Sequence, residues 1–79
     1  MQDQINRRLN KIASLMDRHV MQAVIQGVYL ETLAPIDNSP LEGDAKLAYA
    51  EAQRLHTYHE RQLEKLQEEK LSLTYQKEQ

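Results

Sequence analysis

The chain has 79 residues, which allows one small domain at most, with a marginal core of its own. It contains no cysteine, tryptophan or phenylalanine, so disulfides, thiolate metal sites and a cysteine nucleophile are excluded, and its aromatics are four tyrosines. The net charge of −2 argues against a whole surface that grips nucleic acid, and no apolar run has the length of a membrane span or the form of a signal peptide, so the expectation is a cytoplasmic protein without membrane contact.

Residues 3–34 read as a first helix, rich in Leu, Met, Gln, Arg and Ala, with Asp3 as a plausible N-cap. Ile5, Leu9, Ile12 and Met16 recur at alternating steps of four and three, the spacing of a helix–helix seam. From Val20 the pattern widens: Val20, Met21, Ala23, Val24, Ile25, Val28, Tyr29, Leu30 and Leu33 cover most of the circumference. A helix apolar nearly all round is buried on more than one side. Gly27 lies within this stretch and suggests a close backbone approach.

The break at 35–39 holds Pro35, which disfavours helical geometry at Ala34 and ends the first helix. Ser39-Pro40-Leu41-Glu42 reads as a capping box that starts a second helix at about 40. Gly43-Asp44 weakens that first turn, so Asp44 is a second possible start. The second helix then runs to about 75, with 76–79 frayed. Its seam is Leu47, Ala48, Ala52, Leu55, His59, Leu63, Leu66 and Leu73, and its outer face is charged.

A chain that folds back at Ser39 pairs Ile5 with Leu73, Ile12 with Leu66, Met16 with Leu63, Ala23 with Leu55 and Leu30 with Ala48. Gly27 falls opposite Ala52, small against small. The fold expected is therefore all-α, an antiparallel hairpin of two long helices forming a single domain. Val20, Met21, Val24, Ile25 and Val28 lie beside that seam and would be left exposed. A homodimeric four-helix bundle, or a higher helical oligomer, would cover them.

Few residues offer chemistry. His19 and His59 fall side by side and could hold a metal only with further ligands from elsewhere, so no metal or other cofactor is expected. A seam histidine that must stay neutral while buried makes a mild pH dependence of assembly the better expectation. Ser14, Ser39 and Ser72 lack a base and an orienting group, and a hairpin encloses no substrate-sized pocket, so neither an enzyme nor a small-molecule substrate is expected. Arg7, Arg8, Lys11 and Arg18 form a basic stripe that could hold RNA or DNA phosphates, although Arg8 falls near Glu69, where a cross-helix ion pair would absorb charge. Tyr29 and Tyr49 face each other across the fold-back and are expected to stack, forming a recognition tip with Ile36 and Leu41.

Two helices around a turn with Pro35, Asn38, Pro40 and Leu41 resemble, over the loop alone, the small needle subunits of type III secretion systems. The longer loop and the polar end Lys77-Glu78-Gln79 depart from those subunits, which pack an apolar C-terminus into a filament, so no membership follows. The functional expectation is a non-enzymatic protein-binding module (adaptor, inhibitor or small chaperone) that self-associates and uses an apolar helix face. The alternatives are a nucleic-acid-binding bundle and a structural subunit of a helical assembly.

Overall fold

The computed structural model describes residues 2–34 and 41–78. They form two helices, α1 (Gln2–Leu33) and α2 (Asp44–Glu78), and nothing but helix and short connecting turns. The helices pack along their length as an antiparallel hairpin of 56 × 16 × 14 Å. The direction is visible in side-chain contacts: Arg8 meets Glu69, His19 meets His59, and Tyr29 and Leu33 share a groove with Ala48 and Ala52.

α2 starts at Asp44 rather than at 40. Gly43 has φ +62°, a left-handed geometry through which a right-handed helix cannot run. Its carbonyl accepts the first helical hydrogen bond, from the Leu47 amide at 3.3 Å. Leu41 and Glu42 are not helical, and the Ser39-Pro40 part of the expected capping box lies outside the described residues. Asp44 in the first turn and Lys77 in the last suit the helix dipole. At the other end α2 continues to Glu78, so 76–78 are helical where fraying was expected.

The core is a single line. Among the described residues only Ile12 (0% exposed) and Ala52 (3%) are buried apolar side chains. Ile5, Leu9, Met16, Ala23, Gly27 and Leu30 on α1 are half-buried, as are Leu55, Leu63, Leu66 and Leu73 on α2. Ala48, expected in the seam, is exposed, and Leu47 is more so. Near the loop the row instead passes through Ala45, Tyr49 and Ala52, so that Ala45, Ala52, His59, Leu66 and Leu73 keep a seven-residue repeat along α2. Gly27 does not serve a close approach either, since a Cβ built there meets nothing within 4 Å.

The hairpin exposes 6403 Å². A compact monomer of its 9.3 kDa would expose about 5,000 Å², so roughly 1,400 Å² more faces solvent than its mass requires. Its radius of gyration of 17.6 Å likewise exceeds the ~12 Å of a compact domain of this length. Two helices side by side have no interior beyond their shared line, and the excess surface is the consequence.

Candidate interaction surfaces

The largest apolar exposure is on the outer half of α1. Met21 is 64% exposed, Val24 60%, Val28 55% and Val20 49%, and Ile25 is also exposed. No Asp, Glu, Lys or Arg occurs between Arg18 and Glu31, so the patch is uncharged over about 18 Å of helix. The five residues expected at an interface are thus all on the surface of the hairpin.

Two grooves between the helices orient the rest. One is lined by Met16, Val20, Leu63, Glu64, Gln67 and Glu68, which puts Val20 beside Glu64 and Glu68 of α2. The other is lined by Gln26, Tyr29, Leu33, Ala48, Glu51, Ala52 and Leu55. At about 100° per residue, Tyr29 lies half a turn around α1 from Val20, so this groove opens on the opposite face. Lys11 and Arg18 share the angular row of Tyr29, and Tyr58 and Lys65 share that of Glu51. Ile25, seven residues from Arg18, falls on that row too, and on α2 Arg54, Tyr58, Arg61 and Lys65 line a groove of their own, with Glu68 following Arg61 on one row.

Of the basic residues singled out in α1, Arg7, Lys11 and Arg18 are exposed, whereas Arg8 is half-buried. Its Nε donates to Glu69 Oε2 at 2.5 Å and its Nη2 to Oε1 at 2.7 Å, a forked pair across the hairpin. That hydrogen bond holds the Glu69 carboxyl below its ordinary range. Arg54 is taken up by Glu51 one turn away on α2.

At mid-height His19 Nδ1 and His59 Nδ1 are 2.8 Å apart, with ring centroids separated by 5.0 Å. One ring must donate Nδ1–H and the other accept with its lone pair, so the two take opposite tautomers. Tyr58 closes on both rings edge-on, with centroids at 6.2 Å from His19 and 5.1 Å from His59. Burial, and then the neighbouring His19, lower the pKa of His59. His56 turns away and pairs with Glu60 at 2.6 Å. No third His, Asp or Glu among the described residues joins His19 and His59 into a metal-holding group.

Tyr29 and Tyr49 do not stack: the ring contacts of the described residues are those of His19, Tyr58 and His59. Tyr49 does not line the groove that Tyr29 shares with Ala48, Glu51, Ala52 and Leu55, and it stands about 160° around α2 from Glu51. Leu41 is half-buried, and Ile36 lies outside the described residues. Three further features stand outside the surfaces expected from the sequence. Gln26 is buried at 9% exposure; the Arg54-Tyr58-Arg61-Lys65 row was readable from its four-three-four spacing; and Leu71 and Tyr75 are exposed on α2. Among the described residues no helix is long and apolar enough to cross a membrane.

No protein-family model matches the chain, and no curated protein or solved structure matches it either.

Proposed function

We propose that the hairpin is a non-enzymatic binding module that associates with itself and docks another protein through the apolar outer face of α1, acting as an adaptor, inhibitor or small chaperone. The supporting observation is the uncharged patch centred on Val24, whose members are between 49% and 64% exposed apart from Ile25 at 38%. Covering such a patch removes apolar surface from water, the main favourable term in association. The roughly 1,400 Å² of excess surface is enough for one standard interface, which takes about 800 Å² from each partner.

Sedimentation velocity over a wide concentration range tests the reading. The wild type should form dimers or larger species, and Val24→Asp should shift it toward monomer. A monomeric wild type at every concentration refutes it.

A second reading has its own observation. Arg7, Lys11 and Arg18 are exposed along α1, and Arg61 and Lys65 are exposed beside a groove of α2, cations that could contact nucleic-acid phosphates. Binding of this kind collapses between low and moderate salt, whereas docking on the valine face barely changes. Fluorescence anisotropy with a labelled RNA and a labelled DNA duplex at two salt concentrations separates the two.

A further inference from the structure

Gly27 has no task inside the hairpin. It stands within α1, where glycine is the least favourable residue after proline, and a Cβ built there meets nothing within 4 Å. It also borders the apolar outer face. Gly27 and Val20 lie on one row, seven residues apart, while Met21 and Val28 form the row on the other side of Val24. Val24 itself stands about 120° around α1 from the buried Ile12, on the side turned away from α2.

This face fits a copy of itself turned end over end about Val24. An antiparallel two-fold keeps like rows together and reverses their order. Val20 is four residues before Val24 and Gly27 three after, so Val20 of one copy arrives within one residue, about 1.5 Å, of the level of Gly27 in the other. A branched side chain then fills the gap that the glycine leaves, twice over. On the other row Met21 arrives within one residue of Val28, and the two Val24 side chains meet on the axis. The parallel two-fold does less well. It sets Gly27 beside Val28 but Val20 beside Met21, large against large. It also sets Glu31 against Glu31, with no Lys or Arg along α1 nearer than Arg18, about 20 Å away. The antiparallel one sets Glu31 against Asp17 with Arg18 one residue along, and it opposes the two helix dipoles. That match of the face to itself commits it to a second copy.

We infer that two hairpins pair through α1 alone, antiparallel about a two-fold at Val24, with Val20 of each seated over Gly27 of the other. The inference rests on the self-association proposed above and specifies its geometry. The contact is isologous, so it closes at two copies and leaves both α2 helices on the outside. It therefore differs from a four-helix bundle, in which all four helices share one core.

The chain has no cysteine, so single cysteines test the register directly. Helices packed about 8–10 Å apart, with Cα atoms about 2.3 Å from each axis, bring the two Val24 Cα atoms to about 5 Å or less, within disulfide reach. Val24→Cys should therefore link to itself in a glutathione redox buffer and appear as a covalent dimer by intact mass. Met21→Cys and Val28→Cys, when mixed, should link to each other at least about tenfold more than either links to itself, because like residues of that row stand about 9–12 Å apart along the axis. Gly27→Leu adds a better helix former and blocks the seat of Val20. It should keep the helical content by circular dichroism, yet associate at least about tenfold more weakly than the wild type in sedimentation equilibrium.

Three results overturn the pairing while self-association stands. One is Met21→Cys linking to itself as readily as to Val28→Cys. Another is Val24→Cys staying unlinked under conditions where the wild type associates. The third is a wild type that grows beyond two copies. A helical Gly27→Leu variant that associates as the wild type does overturns it too, and if that variant loses helix the cysteine links decide alone. A wild type that never associates removes both this inference and the reading beneath it.

Discussion

Ile12→Ala is the sharpest probe of how the hairpin is held together. Ile12 is the one fully buried large side chain among the described residues, at 0% exposure. The substitution deletes three carbons, about 2.4 kcal/mol at ~0.8 kcal/mol for each buried group. A cavity term adds to that, but two helices can close together more readily than a layered core, so the total expected is about 2–3 kcal/mol. Domains of this length are stable by about 4–12 kcal/mol, and a chain with so much excess surface belongs near the low end. The loss is thus half or more of the whole, a fall of about 10–20 °C in thermal midpoint.

Val24→Ala supplies the contrast, because Val24 is 60% exposed in the lone hairpin. At low protein concentration it should change stability by less than about 0.5 kcal/mol. Its cost should grow with concentration as association couples to folding. Thermal melts followed by circular dichroism at two widely separated concentrations measure both. If Ile12→Ala lowers the midpoint no more than Val24→Ala in the dilute sample, the hairpin does not pack around Ile12 and the core assignment fails.

The two glycines should respond in opposite directions. Gly27→Ala places a Cβ in open space within a helix and should stabilise the fold by up to about 1 kcal/mol in urea titrations, whereas Gly43→Ala forces a side chain into φ +62° and should cost about 1–2 kcal/mol. The reverse order would contradict the helix start at Asp44. Acidification should weaken the hairpin in the histidine range. His59 has a folded pKa below its ordinary value of 6.5, so its contribution is intact above that value and is lost as the pH falls through the lowered one. A second proton on the pair would leave two N–H donors facing each other at 2.8 Å. Tyr58 and the His56–Glu60 pair are the other titratable groups nearby, and Glu51 and Glu69, both held below 4.5, act only in more acidic solution. A thermal midpoint that stays flat from pH 7 to 5 would count against the histidine assignment, and His59→Gln should flatten it.

Much of the fold was legible because helices announce themselves locally. Apolar steps of four and three marked both arms, and Pro35 marked the break between them. Folding the chain back at Ser39 then placed His19 beside His59 and Arg8 near Glu69, and both pairs exist in the structure. The start of α2 was less clear because two starts competed: the Ser39-Pro40 signal is strong as text, but the left-handed φ of Gly43 takes precedence. Tyr29 and Tyr49 looked like partners by level along the hairpin. Level says nothing of side, and they occupy opposite faces.

The candidate surfaces divide in the same way. Sequence alone determined that α1 carries more apolar residues than one seam can use, because that excess is a count around a single helix. Only the tertiary structure decided that Glu64 and Glu68 adjoin Met16 and Val20 on one side while Tyr29 and Leu33 meet Ala48 and Ala52 on the other. The reason is physical: each helix fixes the angles among its own side chains, but the rotation of one helix against the other is set by packing at the shared line around Ile12 and Ala52. That rotation gives the hairpin two unlike faces.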